Sequence, residues 1–156
     1  MKILHVAVRL VAGCLLVVAC GCDASAGLTF HAPYGWKAEP YAFVTGGQLW
    51  SSPFRGNEWL LLVRRSRPFN LSRVAQEHSM QFGRGNVDQW DEITICGEQP
   101  ALYGAGEYYQ GLHNAETMRI VVSNANGTGY AAQYVYPATA APNGEALAAL
   151  RQLCKQ

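Results

Sequence analysis

The chain reads as a single α+β domain, an antiparallel α+β sandwich made of a mostly antiparallel sheet with two packed helices, placed behind a short export segment. Three observations predict this. Segments run in the order strands, helix, four strands, helix, which suits an antiparallel sheet better than a doubly wound parallel one. A length of 156 residues falls within the roughly 100–200 residues of one domain. The composition is 49% hydrophobic and 15% charged, against about 25% charged residues in an average soluble domain, so a core can form and the composition argues against disorder. A net charge of +1 provides no global field for nucleic acid, and no nucleic-acid partner is expected. The run Arg64, Arg65, Arg67 reads as the solvated end of a strand.

The first element is "MKILHVAVRLVAGCLLVVAC". Lys2 and Arg9 precede an apolar run, Leu10 to Ala19, of the roughly 7–15 residues of a secretory core and too short for a span of about 20. Two processing rules fit the end of this run. "VVAC", Val17 to Cys20, looks like the bacterial lipobox, which makes Cys20 the lipidated first residue. "DASA" sets Ala24 and Ala26 in the small-x-small pattern, and cleavage after Ala26 would instead free a soluble protein at Gly27. "VAGC", ending at Cys14, leaves too short an apolar run after Arg9. The assignment adopted is residues 1–19 as signal peptide, Cys20 as anchor, 20–27 as tether and 28–156 as one domain, with the Ala26 cleavage as alternative. Acyl chains buried at about 0.8 kcal/mol per methylene would hold the protein on a membrane. Gly21 rather than aspartate after the cysteine implies, by similarity to Gram-negative lipoprotein sorting, the periplasmic face of the outer membrane. The Ala26 alternative leaves it soluble, periplasmic or secreted.

Within the domain, "LTFH" predicts a strand at Leu28–His31, and Pro33, Gly35 and Pro40 punctuate the stretch after it. A second short strand is expected at Tyr41–Thr45, turned by Gly46 and Gly47. "EWLLLVRR" is a continuous apolar run bounded by charge, which suits a central strand covered on both faces. "NLSRVAQEHSMQF" places Leu71, Val74, Ala75, His78 and Phe82 at helical spacing, with Asn70 as N-cap and Gly83 and Gly85 as the stop. "DEITIC" alternates, with Ile93 and Ile95 on one face, and "PALYGAGEYYQ" comes after a turn. "ETMRIVV" points Met118, Ile120 and Val122 inward, and "NANGTG" is a hairpin turn into "YAAQYVYP". Asn143 caps a final helix whose stripe is Ala146, Leu147, Leu150 and Leu153.

Export implies an oxidising compartment, and past the processing zone only Cys96 and Cys154 remain. Their pairing is predicted. In the chain-entropy model a loop of that size contributes roughly 4 kcal/mol, and it would pin the last helix to the sheet. Neither cysteine lies in a Cys-x-x-Cys arrangement, so the bond reads as structural.

"LTFHAPYGW", "ITICGEQPALY" and the alanine-rich end "ALRQLC" resemble the PsbP-like (Mog-type) α/β/α sandwich family, including its small bacterial lipoprotein members. The resemblance spans nearly the whole mature chain. It implies a fold and a habit of acting as an exported accessory or binding module, and it supplies no catalytic residue.

"GTGYAA", Gly127 to Ala132, matches a dinucleotide pattern, yet an alternating strand pattern and then Pro137 and Pro142 stand where a helix should open, so a turn is expected and no cofactor. His78 lacks the second histidine of a zincin helix and falls on the apolar stripe, so no metal site is expected. A His/Glu acid–base pair is conceivable chemistry for His113 with Glu116 or His78 with Glu77. The feature with a binding meaning is aromatic. Tyr130, Tyr134 and Tyr136 fall on one face of a strand, Tyr108 and Tyr109 lie on another, and Arg119 is on the strand neighbouring the first. Tyrosine joins a large contact area to a polar tip, which suits a core edge as well as a recognition surface. If the rings line a groove, the ligand is a partly apolar molecule or peptide carrying an anionic group. The leading expectation is therefore a non-enzymatic cell-envelope lipoprotein that binds a protein partner or small ligand. The alternatives are a small hydrolase using one of the His/Glu pairs and a chaperone-like accessory of a secretion system.

Overall fold

A computed structural model describes residues 27–41, 46–77, 80–82, 84–110 and 114–155. The anchor assigned to Cys20, the neighbouring Cys22 and the alternative cleavage site at Ala26 lie outside the described residues. The elements are β1 (Lys37–Pro40), β2 (Gly47–Ser51), β3 (Trp59–Arg65), α1 (Leu71–Gln76), β4 (Met80–Phe82), β5 (Gly85–Ile95), β6 (Gln99–Gln110), β7 (Asn114–Ala125), β8 (Thr128–Tyr136) and α2 (Gly144–Leu150). All eight strands form one sheet in the order β1-β2-β3-β8-β7-β6-β5-β4, and every pairing is antiparallel.

The α/β/α sandwich is not formed. A seven-residue α2 spans about 10 Å, whereas the twelve-residue β6 and β7 each span about 40 Å, so the helices cannot make layers over the sheet. The fold is sheet-dominated. Its largest departure from expectation lies in the segment predicted as one helix up to Phe82. Asn70 does cap it, its side chain accepting from the Arg73 N–H at 3.1 Å, but the helix stops at Gln76 and Glu77 is already extended. Met80–Phe82 then pairs with Gly85–Val87. Gly85, read as a helix stop, opens the long strand β5. The predicted strand at Leu28–His31 reduces to a single bridge between Leu28 and Lys155. Of the strand expected at Tyr41–Thr45, residues 42–45 lie outside the described residues, and Tyr41 comes just after the end of β1.

Other elements obey the residue pattern. Leu60, Leu61 and Leu62 of β3 are all buried, as a centrally placed strand requires. Asn126 and Gly127 both take positive φ, 51° and 72°, and form the two-residue turn between Ala125 and Thr128. That geometry matches the right-handed twist of the flanking strands.

Strand alternation divides the core in two. One face carries Leu60, Leu62, Val121, Tyr130, Ala132 and Tyr134, packed under Ala146, Ala149, Leu150 and Leu153 with Leu28, Phe30 and Trp36 from the chain before β1. The other carries Val87, Leu102, Met118, Ile120, Val122 and Val135 under Phe69 and Val74. Two ties hold α2 down. Cys96 and Cys154 are disulfide-bonded, with Cα atoms 6.2 Å apart. Beside that bond the Leu153 carbonyl accepts from Gln99 Nε2 at 2.8 Å and from Ser123 Oγ at 2.9 Å. At the other end, Asn143 caps α2 by accepting from the N–H groups of Glu145 and Ala146.

Candidate functional site

Register decides which of the candidate side chains meet. Arg119 of β7 lies opposite Tyr134 on β8 and opposite Ala105 on β6. Thr117 pairs with Tyr136, and Tyr103 pairs with Val121 on one side and Asp91 on the other. Tyr103, Ala105, Thr117, Arg119, Tyr134 and Tyr136 therefore share the face on which α2 packs.

The short helix covers only part of that face. Where it lies, Tyr134 is fully buried and holds a polar network: its hydroxyl donates to Glu58 Oε1 at 2.6 Å and accepts from the Asn143 N–H at 2.7 Å. Glu58 is itself buried. Arg55 stands 3.9 Å from the same carboxylate and donates to the Ala141 carbonyl. Burial, reinforced by the hydrogen bond to Glu58, holds the Tyr134 phenol well above its ordinary range. Tyr136 stacks on Tyr134, with centroids 4.9 Å apart.

Beyond the helix the face opens. Tyr103, Ala105, Thr117 and Arg119 are half-buried, while Gln89, Asp91, Glu107 and Tyr109 are exposed. The Arg119 guanidinium donates to the carbonyl of its neighbour Met118 at 3.0 Å, and among the described residues it forms no ion pair. Ala105 opposite adds no bulk beside it. The Tyr103 phenol is pushed up chiefly by burial; Arg119 and Arg151 pull it down, and Tyr136 and Asp91 push it up. Asp91, Arg119, Tyr136 and Arg151 are thus each close enough for their charge to act on the Tyr103 phenol. Such a strip can receive a planar anionic group: the guanidinium supplies forked donors and the phenols supply flat apolar walls.

Of the sequence candidates, the fold unites Arg119, Tyr134 and Tyr136. Tyr109 shares the face but sits near the end of β6, exposed, its hydroxyl donating to Glu107 at 2.7 Å. Tyr130 shares it too, yet is sealed towards the opposite end of the sheet, paired with Ser123. Tyr108 points to the other face, edge-on to Trp59 at 4.8 Å. Tyr103 is not a candidate on sequence grounds, because its place beside Arg119 depends on the β6–β7 register, which no local motif announces. Of the His/Glu pairs, His78 and His113 lie outside the described residues; Glu77 faces Arg73 at 3.4 Å, and Glu116 is buried in the sheet. In "GTGYAA", Gly127 occupies the turn and the rest enters β8, so no helix opens there. No described helix is long and apolar enough to cross a membrane. No protein-family profile and no curated protein matches the chain.

Proposed function

We propose that the chain is a non-catalytic binding module of a bacterial cell envelope, exported behind its apolar leader, held by acyl chains on Cys20, and binding a partly apolar ligand with an anionic group on the open strip around Arg119. The observation that carries the ligand reading is Arg119 itself. A half-buried guanidinium satisfied only by a neighbouring carbonyl has donors to spare, and on the open part of the sheet nothing in the chain takes them up among the described residues. The disulfide fits an oxidising compartment, and the resemblance of the chain to exported accessory modules points the same way.

The test uses benzoate as probe, with benzamide as its uncharged counterpart, titrated into ¹⁵N-labelled protein. Benzoate is expected to shift the amides of Ala105, Thr117, Arg119 and Tyr136, benzamide to leave them in place, and Arg119→Gln to abolish the benzoate response. Equal shifts from both probes, or shifts confined to other parts of the sheet, would overturn the assignment. For the anchor, intact mass of the protein from its host is expected to show an acylated Cys20 terminus; an unmodified terminus at Gly27 would exclude it.

A further inference from the structure

The two edges of the sheet are finished differently. At one edge β1 is four residues long and ends on Pro40, and both features blunt an edge. At the other, β4 covers only Gly85–Val87 of β5. After an irregularity at Asp88, β5 is bonded to β6 on one side from Gln89 to Ile95, about 23 Å of strand. On the outer side no other described strand pairs with it and no other backbone hydrogen bond among the described residues reaches it. No proline interrupts this run, and Asp88, Gln89, Asp91, Glu92 and Thr94 are exposed along it.

The charge on this edge is of one sign. Asp88, Asp91 and Glu92 lie on it, and none is in an ion pair among the described residues. A second copy docking antiparallel about a two-fold axis at Asp91 or at Glu92 would set that carboxylate against its own copy, and like charges facing each other across strands are destabilising. The edge is therefore closed to its own copy and complementary to a basic strand. Beside it, on the α1 face, lies a cleft of about 440 Å³ between Leu71, Ser72, Glu92, Thr94, Pro100 and Leu102. Its mixed lining sets the carboxylate of Glu92 beside Leu71, Pro100 and Leu102, which matches the charged head and apolar stem of a lysine or arginine side chain.

We infer that the outer edge of β5, Asp88 to Ile95, receives an extended basic segment of a partner polypeptide as a ninth strand, with one basic side chain in the cleft at Glu92. Main-chain hydrogen bonds then supply affinity, and the acidic edge and cleft select the sequence. The site borders the Arg119 strip at Asp91 but uses no contact of Arg119, so strand addition persists in Arg119→Gln.

The probe is an octapeptide alternating lysine with valine, compared with its glutamate counterpart and with a lysine peptide N-methylated at every residue. Amide hydrogen exchange of the protein is the readout. The lysine peptide is expected to slow exchange at alternate amides between Asp88 and Ile95, and both controls to leave them unchanged. In Asp88→Lys/Glu92→Lys, with the backbone edge retained, the preference should turn towards the glutamate peptide, lysine-peptide affinity falling about tenfold. Absence of protection at millimolar lysine peptide overturns the inference. So does equal binding of the N-methylated peptide, because attraction without strand pairing is charge alone.

Discussion

Tyr134 and Arg119 face each other across the β7–β8 ladder, and they show what a seven-residue helix does to a sheet. On the Tyr134 side the start of α2 and the chain before β1 close over the strand, and each polar tip has a fixed partner: phenol to Glu58, N–H of Asn143 to phenol. The helix α2 does not reach the Arg119 side, where Arg119 is half-buried, and among the described residues its guanidinium bonds to a carbonyl next to it. The same alternation produced both positions. Cover alone separates a polar group that stabilises the fold from one left available to a ligand, and substitutions at the two positions should affect different measurements.

The largest effect should come from releasing the cover itself. Cys96→Ala with Cys154→Ala removes a cross-link spanning 58 residues, which in the chain-entropy model is worth about 4 kcal/mol. Urea unfolding should show a loss of that order. Hydrogen exchange should rise first in α2 and over Tyr130, which lies near the released end, before it rises around Val87 and Ile120 on the far face. Uniform acceleration on both faces would mean that the disulfide does not act through the helix.

Next comes the network. Tyr134→Phe takes a hydrogen bond from a buried carboxylate and from a part-buried N–H, a loss of about 2–3 kcal/mol by urea unfolding, while Arg119→Met should cost less, about 0.5–1 kcal/mol, because it gives up one hydrogen bond, to the adjacent Met118 carbonyl. The contrast also has a pH signature. The folded state holds the Tyr134 proton above the ordinary value near 10.0, so the folded protein binds that proton more tightly than the unfolded chain does. The associated stability is complete below pH 10 and declines as pH rises beyond it. Unfolding curves between pH 9 and 11 should therefore steepen less with pH in Tyr134→Phe than in the parent. Parallel curves would remove Tyr134 as the titrating group.

How much of this is legible in the residues depends on the range over which each feature is decided. Asn70 and Asn143 announce helix starts because capping is local. Asn126–Gly127 announces its turn for the same reason. The Cys96–Cys154 bond is reachable by counting. The stretch around Met80–Phe82 is not, because its helical spacing competes with a tertiary pairing to Gly85–Val87 that local pattern cannot weigh. The site is half legible: alternation along β8 puts Tyr134 and Tyr136 together, but adding Tyr103 and removing Tyr108 needs the register of β6 against β7. Helix length matters most of all, since the true extent of α2 decides which tyrosines are core and which are surface.

The smallest expected effect probes the open half directly. Tyr103 sits where burial raises its phenol while the charge of Arg119 draws it back down. Replacing Arg119 with glutamine removes the lowering influence and leaves the burial, so the Tyr103 titration should move further up. A ring ¹³Cζ label followed by NMR resolves this tyrosine from the other seven, the chain holding eight in all. In the parent, benzoate on Arg119 would neutralise the same charge and should push Tyr103 in the same direction without any substitution. Agreement between the two shifts would place the ligand anion on the guanidinium. A shift in the variant with none on adding benzoate would show that Arg119 acts on Tyr103 while the probe binds elsewhere.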